Sequence, residues 1–364
     1  MINGKDVILE YLRRAVGVRV SDIFIGVGRK VTFKIDGALI AQVGEILTPD
    51  SAEVLITSLY ELAGRSMEKY NESGDDDFPV TISGVSRFRV NTYRQRSTPA
   101  AIIRVVLYEI PDYRELNIPE TVMSIATQRS GLALVTGPSG SGKSTTLACI
   151  IDAINKTRNS HIITLEDPIE FLHRDKESLI SQREIFTDTN SYADALRAVL
   201  RQSPDIIFLG EMRDYETMSA AITAAETGHL VISTLHTVGA ANTIDRIIDI
   251  FPPAQQQQIR VQLSMSLRTV ATQRLIKHTN GKTVPAFEVM NVNSAIRNII
   301  REGKTHQINA VIQTSFAEGM ISMDTYLLGL LKKGDITAET ALTNAVNQDQ
   351  MQHQVVALGV VGTA

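Results

Sequence analysis

One stretch constrains this chain more than any other. Gly137 to Ser144 reads GPSGSGKS, a match to G-x-x-x-x-G-K-[ST]. It follows the apolar run LALVT (132–136) and precedes TTLACIIDAI (145–154), which suits a helix. Strand, glycine loop and helix in that order are what a phosphate site needs. Glycines let the backbone curl until several N–H groups face one anion, and the positive end of the following helix adds to that field. The run Gly137, Pro138, Ser139, Gly140, Ser141, Gly142, Lys143, Ser144 and Thr145 is therefore expected to wrap a triphosphate. Lys143 would reach the β- and γ-phosphates, and the Ser144 hydroxyl would ligate Mg²⁺. A plain glycine-rich turn needs neither that lysine nor that hydroxyl.

The sequence around the loop reads as α/β. Leu132–Thr136, His161–Leu165, Ile206–Leu209 and Leu230–Thr234 are continuous apolar runs, as strands of a parallel sheet buried between helix layers require. Ligands of such sheets sit at the carboxyl ends of the strands. The first hundred residues differ. They suggest a helix over Val7–Ala15, strands over Ser21–Val27 and Val31–Ile35, and a hairpin turn at Asp36-Gly37. Thr48-Pro49 opens a helix to about Leu62 in the manner of an N-cap with proline at the first helical position. Three aspartates, Asp75 to Asp77, then precede strands over Phe78–Ile82, Arg87–Tyr93 and Ala100–Val106. Five strands and two helices with little βα alternation predict an α+β module, a sheet with helices on one face. Prolines and charges in Tyr108–Pro119 mark the boundary between the modules. From about Pro253 the chain reads as mostly helical and polar-patterned, and its apolar end, VVALGVVGTA, reads as a frayed tail.

Two of the apolar runs end in acids. HIITLEDPIE puts Glu166 and Asp167 just past one strand, and DIIFLGEMRD puts Glu211 just past another. A strand that points its terminal acid at a phosphate loop positions Mg²⁺ and the attacking water. Glu211 is expected to orient or deprotonate the water, with Glu166 and Asp167 holding the hydrated metal. Gly210 would let the backbone pass close to the nucleotide. His229 and His236 flank the strand LVIST; no third ligand has metal-site spacing, so His236 reads as a γ-phosphate sensor and His229 as a structural histidine. Arg87, Arg89, Arg94, Arg96 and Arg104 cluster upstream, with Arg87 and Arg89 sharing one strand face and Arg94 and Arg96 another. They suit arginine fingers, a nucleic-acid track or a solvated sheet face. Only Phe88 and Tyr93 interleave with them and the chain has no Trp, which opposes base stacking.

Four runs in order, GPSGSGKST, TLEDPIEF, FLGEMRD with TAAETGHLV, and STLHT, resemble the motifs of the PilT/PilB/GspE superfamily of secretion and pilus motor ATPases, over about residues 5 to 345. The resemblance implies ATP and Mg²⁺ as cofactors and a homo-hexamer. It further implies a PAS-like N-terminal domain (1–107), a linker (108–121) and a RecA-like ATPase domain with a helical C-terminal region (122–364). Glu211, Glu166, Asp167 and His236 become its catalytic residues, and Ser144, Glu166 and Glu211 its metal ligands. SRFRVN makes Arg89 and Arg104 the fingers offered by a neighbouring subunit, whereas RQRS (94–97) departs from the family's asparagine-rich pattern, which leaves Arg96 out. AIRNIIRE (295–302) resembles the AIRNLIRE motif of the retraction branch, and the single cysteine, Cys149, cannot build the tetracysteine zinc element common in assembly and secretion ATPases. The branch implies pilus retraction and twitching motility, an inner-membrane PilC-like platform protein as partner, and an accessory retraction ATPase beside it.

Composition sets the remaining limits. Lys and Arg number 36 against 40 Asp and Glu, a net charge of −4 that disfavours a nucleic-acid motor. No uninterrupted apolar run approaches the ~20 residues that span a bilayer, and the first residues lack a signal-peptide core, so a cytoplasmic chain attached peripherally to the inner membrane through partners is expected. An assembly or secretion ATPase, a DNA motor and a non-enzymatic accessory ring subunit are the rival readings.

Overall fold

The computed structural model describes residues 4–18, 20–35, 37–106 and 109–358. The chain divides into two compact units, Met1–Glu109 with Glu170–Leu172, and Ile110–Ile169 with His173–Ala364.

The first unit holds six strands, β1 Asp22–Gly26, β2 Thr32–Ile35, β3 Ala38–Ala41, β4 Asp75–Ile82, β5 Ser86–Gln95 and β6 Thr98–Val106, in one sheet of order β3-β2-β1-β6-β5-β4. Every neighbouring pair is antiparallel. Burial alternates along β5, where Phe88 and Val90 are fully buried. These residues join Ile8 and Leu12 of the helix Gly4–Gly17, and Ile56 and Leu59 of the helix Pro49–Ala63, in one core. Thr48 and Ser51 close the second helix's first turn with a reciprocal capping box.

The sequence reading missed two elements here. Strand β3, ALIA, is exposed at every residue on the sheet edge and so shows no alternation. The short helix Glu68–Ser73 is polar apart from the buried Tyr70 and ends at Gly74 in the left-handed conformation. Of the expected hairpin turn, Asp36 lies outside the described residues. The three aspartates do not precede β4; they begin it. Asp76 points inward and survives burial because Arg65 donates to it from Nε and Nη2 at 2.9 and 3.0 Å, while Lys69 lies 3.1 Å away. Burial works to raise the Asp76 carboxyl, but hydrogen bonds from Arg65 and Lys69 outweigh it and hold the group below the usual range.

The second unit holds β7 Gly131–Thr136, β8 His161–Glu166, β9 Leu179–Glu184, β10 Ile206–Leu209, β11 Leu230–Leu235, β12 Leu267–Lys277 and β13 Thr283–Asn291. They form a mixed sheet of order β13-β12-β7-β11-β10-β8-β9, parallel except for β13. β7, β10 and β11 are buried along their whole length. The C-terminal region is mostly helical, as expected, but two strands not expected there, β12 and β13, extend the sheet. Their polar pattern hid them: Thr272 meets Thr136 at 2.9 Å, the Thr269 hydroxyl accepts from Gln128 Nε2 at 2.8 Å, and the Gln273 amide oxygen accepts from the Thr146 hydroxyl at 2.8 Å. A polar side chain with a partner can be buried at little cost. β9, an edge strand with a polar run, also went unread. The segment read as a linker has its own core role: Ile118 is buried, and Ile110, Tyr113 and Leu116 lie against the cluster that contains Ile150 and Ile154.

Candidate functional site

Register brings the signature residues together. Thr136 of β7 lies opposite Leu235 of β11, and Leu209 of β10 lies opposite both Ser233 and Leu165. The carboxyl ends of four neighbouring strands are thus level. Gly137, His236, Glu211 and Glu166 leave the sheet along one edge.

The loop's glycines answer to specific neighbours. Gly137 has φ +145°, and a Cβ there would stand 2.2 Å from the Gln273 carbonyl oxygen. Gly142, at φ +87°, would put a Cβ 2.9 Å from Gln273 Nε2. β12 therefore backs the loop so closely that only glycine fits at these two points. Lys143 opens the helix Lys143–Thr157 and is buried; its ammonium donates to the Gly137 and Pro138 carbonyls at 2.9 and 3.0 Å. Ser144 and Thr145 occupy the same first turn. The buried Ser141 hydroxyl has no protein partner, a donor available to a phosphate oxygen. Cys149 lies further along this helix as a small buried residue. Burial first, then the Asp152 charge, pushes its thiol up to about 11.

A chain of polar contacts runs from the loop to the acids. Lys143 Nζ lies 3.5 Å from His236 Nδ1, and His236 Nε2 lies 3.5 Å from Glu211 Oε2. Arg213 Nε ion-pairs with that same carboxylate oxygen at 2.6 Å. The Glu166 carboxylate is buried and accepts from the Thr164 hydroxyl at 2.6 Å and from Gln182 Nε2 at 3.1 Å. Asp167 follows, exposed. His229 begins the opposite end of β11, where its Nδ1 lies 3.0 Å from the Ala224 carbonyl, so it is structural.

Gly210 also answers to neighbours within the chain. A Cβ there would stand 2.9 Å from the Tyr192 hydroxyl oxygen and 3.4 Å from Glu166 Cα. The glycine clears space for the protein's own side chain. Tyr192, which sequence reasoning missed together with Arg213, Gln182 and Gln273, has a buried hydroxyl without a hydrogen-bond partner. Such a group costs about 1–3 kcal/mol to leave unmade. Burial pushes the phenol well up, and the charges of Glu211, Asp167 and Glu166 push it further.

The arginines lie in the first unit. Arg89 and Arg104 sit directly opposite each other on β5 and β6, hence on one face. Arg104 Nε donates to Asp22 at 3.0 Å, and Arg89 Nε lies 3.4 Å from Asp77. The spacing placed Arg94 and Arg96 on one strand face, and the structure does not: β5 ends at Gln95. Arg94 stacks over the Tyr70 ring at 5.2 Å, whereas Arg96 and Ser97 form the turn between β5 and β6 with φ of +50° and +60°. On the helix Ser294–Glu302, Ile296, Ile299 and Ile300 are buried while Arg297 and Arg301 face outward.

Whether these residues suit Mg²⁺ follows from their donors. Among the described residues no group of three or more His, Cys, Asp or Glu side chains forms a metal cage. Mg²⁺ is commonly held by one or two carboxylates with substrate phosphates and water, so a serine hydroxyl and strand-end carboxylates beside a phosphate cradle fit it.

Strand, glycine loop, helix and acid-ended neighbouring strands define a phosphate-loop nucleotide hydrolase. Within that class the chain belongs to the type II/IV secretion system protein family, whose model matches residues 5–328. It is 43% identical over 327 residues to the "Type IV pilus retractation ATPase PilT" of Pseudomonas aeruginosa, covering 89% of this chain and 94% of that protein. It is 48% identical over 283 residues to a "Twitching motility protein" of Neisseria gonorrhoeae, covering 78% and 76%. A crystal structure of the pilus retraction motor PilT with bound ADP superposes with a TM-score of 0.87 at 42% identity, covering 95% of this chain and 98% of that one.

Proposed function

We propose that this chain is an ATP-hydrolysing motor that drives type IV pilus retraction, and so pilus disassembly and twitching motility. The observation that carries the chemistry is the contact series Lys143–His236–Glu211, with both steps at 3.5 Å. It connects the phosphate loop to a carboxylate at the neighbouring strand end. Residues 137–145 bind the triphosphate of ATP, and Lys143 moves from its own loop's carbonyls to phosphate oxygens of higher charge. His236 reads the γ-phosphate by donating a hydrogen bond. Glu211 takes the proton of the attacking water. Ser144, Glu166 and Glu211, with Asp167 beside them, are the residues that would hold Mg²⁺, whose chemistry there is neutralisation of phosphate charge. Arg89 and Arg104 of a neighbouring copy supply the further positive charge that the transition state needs.

The printed functions of the two pilus relatives support retraction over assembly or secretion. So do the outward arginines of the helix Ser294–Glu302 and the single cysteine of the chain. The first unit we read as PAS-like and the second as RecA-like, divided by residues 108–121. An antiparallel sheet with its helical core on one face supports the first assignment, and a parallel sheet led by a phosphate loop supports the second. The working assembly is a homo-hexamer at the cytoplasmic face of the inner membrane. It acts on a platform protein there, with an accessory retraction ATPase as a further partner. No helix among the described residues is long and apolar enough to cross a membrane.

A deletion strain tests the reading. It should keep or gain surface pili and lose surface movement, and wild-type but not Lys143→Ala protein should restore movement. A strain without surface pili makes the chain an assembly ATPase instead.

A further inference from the structure

Among the described residues at this edge, Tyr192 carries a hydroxyl that the chemistry above does not use. Ser191 caps the helix Tyr192–Val199 and fixes the tyrosine at its first position. The aromatic ring lies against the unit's main apolar core, while the hydroxyl is buried at the strand ends with no acceptor within hydrogen-bond distance. Gly210, immediately before Glu211, is small enough to admit it, since a Cβ there would stand 2.9 Å from the phenol oxygen. Glu211, Asp167 and Glu166 are the carboxylates whose charge it feels, Glu211 most strongly. Phenylalanine would fill the same space and leave no donor unmet, so packing alone gives no reason for a hydroxyl here.

The present partner of Glu211 bears on what the hydroxyl is for. Arg213 ion-pairs with Glu211 Oε2 at 2.6 Å, so the group that now directs this carboxylate is a guanidinium at the surface. Arg213 is 73% exposed, so that pair is easily given up to water. A neutral donor can then hold the carboxylate's direction without cancelling its charge. We propose that Tyr192 is a positioning residue for ATP hydrolysis, its phenol O–H donating to Glu211 once Arg213 has released it and aiming that carboxylate at the attacking water. The phenol exchanges no proton. The water oxygen bonds to the γ-phosphorus, its proton passes to Glu211, and the bond to the bridging oxygen breaks to leave ADP.

This inference rests on the reading of Glu211 as the proton acceptor, and the experiment separates the two. Full-length Tyr192→Phe, Glu211→Gln and the double variant are compared with wild type for phosphate release under single-turnover conditions. Binding of a fluorescent ATP analogue with Mg²⁺ and the thermal midpoint are measured alongside. Tyr192→Phe should lower kcat about 10-fold, the size expected for a hydrogen bond to a charged group. KM, analogue affinity and thermal midpoint should stay level or improve. In the Glu211→Gln background the same change should cost nothing more, because the two act as one unit. Wild-type kcat in Tyr192→Phe overturns the proposal, as does a raised KM, a lowered midpoint or a full 10-fold further loss in the double variant. If Glu211→Gln itself turns over normally, the reading of Glu211 falls and Tyr192's role falls with it. A slow Glu211→Gln beside a normal Tyr192→Phe refutes the tyrosine alone.

Discussion

The two sheets bury their residues by different rules, and the difference decides where function can sit. In the first unit, burial alternates along β5, so every second residue faces away from the core. Arg87, Arg89 and Asn91 stand in a row on the face turned away from that core. In the second unit, β7, β10 and β11 are buried from first residue to last, so these strands offer a ligand no side chain along their length. The site residues there gather at the carboxyl ends of the strands, Glu166 as the last residue of β8 and His236 and Glu211 just beyond β11 and β10, and register makes those ends level. An antiparallel sheet offers a face; a parallel sheet offers an edge.

The largest effect should come from the edge. Lys143→Ala removes the only side chain of the loop that carries a full positive charge, and turnover measured by phosphate release with Mg-ATP should fall about 10³-fold or more. Near wild-type turnover would place the chemistry elsewhere and dissolve the contrast. Next is the face. Replacing both Arg89 and Arg104 with Ala should slow turnover up to about 10³-fold while nucleotide affinity holds, if they act as fingers on a neighbour's phosphate. Unchanged turnover would reduce that face to a solvated surface. Glu211→Gln should bind ATP and turn over at least ~10²-fold more slowly, by analogy with other proton-transfer groups.

A smaller effect sharpens the contrast on stability. Asp76 is the charge the first unit buries on its core face, and Asp76→Ala should cost that unit about 2 kcal/mol in chemical denaturation, the size expected for hydrogen bonds to a charged group whose partners stay partly in water. The pH dependence has a definite sign. Because Arg65 and Lys69 hold its folded carboxyl below the unfolded value of about 3.9, its contribution is complete above that value. It is lost as pH falls through the lower folded one. An acid titration of wild type against Asp76→Ala should show the gap between them closing below about pH 4.

Much of the site was legible because its signals are local. GPSGSGKS, the acids after two apolar runs and His236 after a third each lie within a few residues of the strand that positions them. Residues whose role depends on distant neighbours were not legible. Gln273 backs the phosphate loop from 127 residues past the Thr146 hydroxyl that it accepts, and nothing near Gln273 in sequence announces this. Arg213 reads as one more charged loop residue until its contact with Glu211 is seen. Tyr192 reads as an ordinary helix start. β12 and β13 were hidden for the same reason, since their threonines and glutamine are paired across strands rather than along one.

The amino-acid order alone determined that a phosphate loop exists, that the sheet behind it is parallel and buried, and which acids end its strands. Local periodicity and turn chemistry suffice for that. Only the tertiary structure decided which of these groups meet. Strand order and register are long-range choices, and they set His236 between Lys143 and Glu211, gave Glu211 to Arg213, and put a phenol against Gly210.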